Sequence, residues 1–315
     1  MQDIYIAACA TDGGIYHYKT DGETAELKQF VPIDRPMYFY KNDKKLYAVL
    51  RAPFEDSADS GIISFDIGED GNLFNPSEII STKGEVGCHL AVTGDSVYVA
   101  NYISGSVFKS PDKTVAHGGR GTHKTRQEAP HVHSVTITPD GNLCVADLGI
   151  DTLFIYDKDL NEISKVKLPD GSGPRHTVFS EDGKYLYCVA ELDSCVYSFS
   201  YDNGVLIPCS SSIGLPVVFT GESTAAAIRI SGNKLYTSNR GHNSISEFDV
   251  CDGNVKLVAC IDCGGEGPRD FNIFDDFAVC TNQDTNNVVF YKLNSLGRYA
   301  KTSLTIDLPT PICVI

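Results

Sequence analysis

Six stretches of this chain can be laid under one another. They begin at Tyr38, at Leu90 (LAVTGDSVYVANYISGSVFKS), at Ser134 (SVTITPDGNLCVADLGIDTLFIYD), at Thr177, at Ile228 and at Phe271. Each reads as a short alternating strand, a polar turn, a second and more apolar strand, another polar turn, and a third alternating strand. Asp140-Gly141 and Asp182-Gly183 occupy first turns, the residues a hairpin favours. Turns at Asp202-Asn203-Gly204 and Asp252-Gly253 follow third strands and lead into a weaker fourth one. Helical periodicity is not found. Pro36, Gly87, Pro130, Pro174, Thr224, Pro268 and Pro311 stand just before the first strands, 43 to 51 residues apart. Four strands in such an interval make one propeller blade.

The seventh start is the informative one. After Pro311 only Ile312 to Ile315 remain, enough for one strand. The N-terminal run DIYIAACATDGGIYHYKTDG from Asp3 fits the second and third strands of the pattern. The expectation is therefore an all-β chain: a seven-bladed β-propeller of four-stranded antiparallel blades, one domain over residues 1–315. Its last blade is closed by the N- and C-terminal strands with ICVI innermost, which removes the free edges of an open sheet.

With a net charge of −15 the chain is a poor partner for nucleic acid or an anionic membrane, both of which need a basic surface. A small anion held by a few focused cations is not excluded. The 11 cysteines are odd in number and sit mostly in apolar strands, as with Cys144, Cys188 and Cys280; this suits core filling in a reducing compartment. One C-x-x-C pair occurs, Cys260 and Cys263, without a second pair to complete a zinc site. No basic leader and no apolar run of about 18 residues is present, so a soluble, cytoplasmic protein is expected. Walker, G-x-S-x-G and H-E-x-x-H motifs are absent, and GGEGPRD at Gly264 is a turn ahead of a strand.

In a blade the start of the first strand and the end of the second emerge on one face. At the first place stand His89, His131, His133, Arg175, His176 and Arg269; at the second stand Arg51, Tyr102, Glu191, Arg240 and Gln283. Asn101, Asp147, Asn239 and Asn282 come one position earlier, where turn formation is their stronger explanation. Four of the nine arginines fall at these positions, a concentration that points to an anion site. Arg175 and Glu191 also suit a structural ion pair. The polar segment Ala116 to Pro130, AHGGRGTHKTRQEAP, is placed to form a rim over the site or to serve as a plain connector. His131 and His133 share a strand face, but nothing completes a metal site, so neither metal nor cofactor is expected.

RQEAPHVHSVTITPDGNLCVADLGID, GSGPRHTVFSEDGKYLYCVAELDS, AAIRISGNKLYTSNRGHNSI and GPRDFNIFDDFAVCTNQDTNNV occur in that order and resemble the lactonase family of seven-bladed propellers. That family includes bacterial 6-phosphogluconolactonases of the pentose phosphate pathway and a muconate-cyclising enzyme. The resemblance implies that His131, His133, Arg175, Glu191 and Arg240 are catalytic. Arg51, His89, Asn101, His176, Arg269 and Gln283 are the expected substrate-binding set. The expected reaction is hydrolysis of a sugar δ-lactone, best 6-phosphoglucono-δ-lactone. A histidine acts as base, Arg175 stabilises charge on the carbonyl oxygen, and Arg240 with Arg269 or Arg51 holds the phosphate. Glu191 beside two arginines should stay ionised and orient the other groups. A cyclase or lactonase acting on another carboxylated lactone, and a non-catalytic interaction platform, are the rival readings.

Overall fold

The computed structural model describes residues 1–295 and 297–315. Seven antiparallel sheets surround a central channel, each contributing its innermost strand to the wall: Pro36–Lys41, Gly87–Thr93, Val132–Ile137, Pro174–Phe179, Thr224–Ser231, Pro268–Ile273 and Pro311–Val314. Each innermost strand packs on the next, and Pro311–Val314 packs back on Pro36–Lys41, so the ring closes. These strands number the blades from first to seventh. Six of the seven starts coincide with the residue the sequence marks. The third strand begins at Val132 rather than Pro130.

Burial explains the hydrophobic grading within a blade. Second strands such as Leu143–Asp147 and Phe277–Asn282 are buried along their whole length, because neighbouring blades cover both faces. Outer strands such as Glu162–Lys167 and Tyr299–Asp307 face solvent on one side and alternate accordingly. The first blade departs from the four-strand pattern. Its outer strand is split into Leu73–Phe74 and Ile80–Glu85, both paired with Asp59–Ile67. Asn75, at φ 48°, and Pro76, with no N–H to give the ladder, lie in the break.

The seventh blade is built from both chain ends. Ile6 pairs with Val314 and Ala7 with Cys313, and Tyr5 and Ile315 exchange backbone hydrogen bonds of 2.8 and 3.0 Å.

One irregularity recurs in every blade. The ladder between first and second strands slips by one residue near its start, leaving Met37, Cys88, His133, Arg175, Ala226, Arg269 and Ile312 unpaired at equivalent positions. A bulge of this kind turns the strand and re-aims the extra side chain. In six blades the residue that follows the second-strand partner of the bulge donates its N–H to the residue just before the innermost strand, as Tyr102 does to Val86 and Glu191 to Gly173. Val86 takes φ 53° there, a strained conformation for a β-branched residue.

The closure carries a stability prediction. Ile6 is fully buried in the seventh blade, so Ile6→Ala should cost about 2–5 kcal/mol in denaturant unfolding. Ile207→Ala, on an outer strand where the side chain is 58% exposed, should stay within about 0.5 kcal/mol of the parent.

Candidate active site

The bulge positions and the ends of the second strands form two concentric rings on one face of the channel. Between them lies a cavity of about 320 Å³. The inner ring gives it Met37, Cys88, His133 and Arg269; the outer ring gives Arg51, Tyr102, Glu191 and Arg240. Val86, Ile103 and Arg126 complete the wall. A small void of about 10 Å³, bordered by Arg175, His176, Tyr38 and Asp270, lies among the channel side chains, and Met37, Cys88 and Arg269 line both spaces.

Glu191 is the electrostatic centre of the site and is only 1% exposed. Its Oε2 accepts from Arg175 Nε at 3.0 Å and from Arg240 Nη2 at 3.0 Å, with His133 Nε2 3.9 Å away. Its Oε1 accepts from Arg126 Nη2. Burial pushes this carboxyl up, but Arg240, Arg175, His133 and Arg126 outweigh it and hold the group well below its ordinary range. Three guanidinium groups thus hold one carboxylate, and two more, Arg51 and Arg269, line the same cavity. Among the described residues Arg51 and Arg269 have no carboxylate partner, and the buried Arg240 Nε has no acceptor. Burial, followed by Arg240, lowers the pKa of Arg269, a sign of cations crowded together.

Three channel histidines, His89, His133 and His176, are kept neutral. Burial and then Arg175 depress His133, against the opposing pull of Glu191; burial and Arg175 depress His176 as well. His89 is brought down to about 3 by burial, then by Arg229 and Arg175. His133 Nδ1 lies 3.7 Å from the Cys88 thiol, which burial pushes up to about 12.

The connector from residue 117 to 131 is pinned at both ends. His117 Nδ1 sits 2.6 Å from Asp147 Oδ2, while Asp147 Oδ1 accepts from the His131 N–H at 2.8 Å. Near its end, Arg126 reaches over the cavity to Glu191.

Of the eleven residues singled out in the sequence, five line the cavity: His133, Glu191, Arg240, Arg51 and Arg269. Arg175 does not line it. Its side chain is 3% exposed, with Nε on Glu191 and Nη1 on the Ala226 carbonyl at 2.7 Å. His131 is turned away: its ring stacks on Tyr102 at 4.4 Å, Nδ1 is 3.0 Å from the Tyr102 carbonyl oxygen, and Nε2 is 3.3 Å from Glu128. His89 and His176 lie among the channel side chains, ring against ring at 5.0 Å, with His89 stacked on Tyr38. Asn101 is buried and spends its amide on Thr82 and Ser106, which ties its strand to the outer strand of the first blade rather than capping a turn or facing the cavity. Gln283 is half-buried and not in the lining; its N–H serves Gly267. Arg126 was not assigned from sequence, although it stands in the polar connector four residues before Pro130. Tyr102 was placed on the right face without a role. Cys260 and Cys263 contact different partners, Ser246 Oγ and the Gly265 carbonyl.

The model of the family described as lactonase, 7-bladed beta-propeller matches residues 3–315. The chain belongs to this family. An uncharacterized protein of Staphylococcus saprophyticus is 34% identical to this lactonase-family chain over 96% of its length and 94% of the relative's. A crystal structure of a Lactobacillus plantarum protein is 31% identical, with a TM-score of 0.90 over 100% of this chain and 99% of that one. A candidate 6-phosphogluconolactonase of Bacteroides uniformis is 26% identical, with a TM-score of 0.89 over the same shares. No helix among the described residues of this lactonase-family propeller is long and apolar enough to cross a membrane.

The neutral histidines give a pH prediction. Their folded pKa values lie below the ordinary 6.5, so below that pH the unfolded chain binds the extra protons and stability falls with acid. Urea unfolding between pH 6 and 5 should steepen toward three protons, roughly 4 kcal/mol per pH unit. His176→Asn should make the slope shallower by about one proton, roughly 1.4 kcal/mol per pH unit.

Proposed function

We propose that the protein hydrolyses a sugar δ-lactone carrying a terminal anionic group, with 6-phosphoglucono-δ-lactone as its best substrate. The observation that carries this reading is the charge imbalance of the cavity: four arginines, Arg51, Arg126, Arg240 and Arg269, line it with one carboxylate in a chain of net charge −15. Arg51 and Arg269, free of carboxylates, suit the forked hydrogen bonds of a phosphate, with Arg240 beside them. Family membership and the likeness to the Bacteroides uniformis protein support the same reading. On this reading the protein works in the cytoplasm, on the pentose phosphate pathway.

The chemistry asked of the site is modest, because a δ-lactone is an activated ester that opens slowly in water. Neutral His133 takes a proton from water as the water oxygen bonds to the lactone carbonyl carbon. The carbonyl π pair moves onto its oxygen. When the tetrahedral species collapses, that pair re-forms the carbonyl and the bond to the ring oxygen breaks. The ring oxygen keeps the bond pair and takes the proton back from His133. The new carboxylic acid then releases its own proton to solvent. Glu191, ionised and 3.9 Å from His133, stabilises the imidazolium between the two transfers.

The test is acid release from fresh 6-phosphoglucono-δ-lactone above the spontaneous rate. His133→Asn should lower kcat by about 100-fold or more. Arg269→Ala should raise KM for the phosphorylated lactone by about tenfold while sparing glucono-δ-lactone. A folded wild-type protein that accelerates neither lactone would overturn the reading. Preference for a carboxylated lactone would keep the site and change the substrate.

A further inference from the structure

We propose that Arg126 is the catalytic cation that stabilises the carbonyl oxygen of the lactone in the transition state; this rests on the lactonase reading. The first reason is the enclosure of Arg175. It does not line the cavity, and its Nε and Nη1 are committed to Glu191, the Ala226 carbonyl and the His176 ring. Arg126 is 37% exposed and lines the cavity. One of its nitrogens serves Glu191 Oε1 and lies 3.4 Å from the Tyr102 hydroxyl, which leaves most of its five N–H donors for a ligand.

The second reason is where Arg126 sits relative to the base. Arg126 is on Oε1 of Glu191, and His133 is on the side of Oε2. A lactone carbonyl lodged against this carboxylate has the proton acceptor of the attacking water on one side and a guanidinium on the other. The π pair that leaves the carbonyl bond comes to rest on an oxygen paired with Arg126, and returns when the ring C–O bond breaks.

The third reason is the mounting. Gln127, next in the chain, is fully buried and makes four hydrogen bonds. Its Oε1 accepts from the N–H groups of Thr122 and His123 at 3.0 and 2.9 Å, and its Nε2 donates to the Leu148 carbonyl at 2.8 Å and Asp151 Oδ1 at 2.6 Å. Asp151 also accepts from the N–H groups of Gly171 and Gly173, both at 2.8 Å. The Gly173 carbonyl in turn accepts from the Glu191 N–H at 2.7 Å. The backbone beside Arg126 is therefore tied, through one carboxylate, to the loop that fixes Glu191. A connector with no catalytic duty has no need of such a mounting, whereas transition-state stabilisation depends on preorganised donors. Gln127 is accordingly a positioning residue.

The experiment is steady-state hydrolysis of 6-phosphoglucono-δ-lactone by wild type, Arg126→Ala, Arg126→Lys and Gln127→Leu. Wild-type turnover tests the lactonase reading before any variant is compared; its absence sinks that reading and this inference with it. Given turnover, Arg126→Ala should lose about 100-fold or more in kcat with KM within about threefold. Added ethylguanidine should restore its rate in a saturable way and leave wild type unchanged. Arg126→Lys should retain an intermediate kcat, and guards against a variant that fails to fold. Gln127→Leu should lower kcat without raising KM, although Arg126 itself is intact. The inference is overturned by wild-type kcat in Arg126→Ala, by a loss confined to KM, or by a loss in a folded variant that ethylguanidine does not rescue.

Discussion

A carboxylate taken out of water is costly by several kcal/mol unless cations and hydrogen bonds surround it, and Glu191 is such a carboxylate. Its partners come from different parts of the ring: Arg175 from the innermost strand of the fourth blade, Arg240 from the second strand of the fifth, Arg126 from the connector between the second and third. Arg175 meets Glu191 within one hairpin of the fourth blade, whereas the Arg240 and Arg126 pairings form only when neighbouring blades have docked in register. The site is thus a consequence of blade docking, and the docked blades are what make a buried charge tolerable. Surplus cations then follow: a single carboxylate, already paired with Arg175 behind it, cannot neutralise the four guanidinium groups that line the cavity, so the cavity is left with an appetite for an anion inside an acidic protein.

The repeated bulge is the geometric counterpart of that charge arrangement. It gives every blade one side chain freed from the ladder at the same height, filled in turn by Met37, Cys88, His133, Arg175, Ala226, Arg269 and Ile312. The scaffold is indifferent to which residue stands there. Apolar and small residues occupy four of these places; His133, Arg175 and Arg269 occupy neighbouring or facing ones and concentrate the chemistry on one part of the mouth. A strained residue at the rim, Val86, shows that local conformational preference yields to this geometry.

Periodicity was enough to read the blades, their number and the closure by ICVI, because strand and turn chemistry repeat in every unit and the missing strands had only one source. The face carrying the site was legible for the same reason. Individual side-chain directions were not. On a regular strand His131 and His133 point the same way, but the strand starts at Val132 and bulges at His133, which leaves His131 stacked behind Tyr102. Arg175 carries the expected charge, yet its depth in the ring makes it a support for Glu191 rather than a wall of the cavity. Arg126 was hidden because nothing periodic governs a connector; its place depends on the Gln127–Asp151 tie, which joins residues 24 apart in sequence.

The central claim is that an anionic sugar acid or lactone is held with its anion at Arg51 and Arg269 and its carbonyl carbon between His133 and Arg126. The measurement that addresses it most directly is a crystal structure with 6-phosphogluconate, the product of the proposed reaction. The account predicts the phosphate against Arg51 and Arg269 and the carboxylate beside Arg126 and His133. A ligand bound in the outer groove near Lys167 and Tyr197, or lying reversed in the cavity, would contradict it.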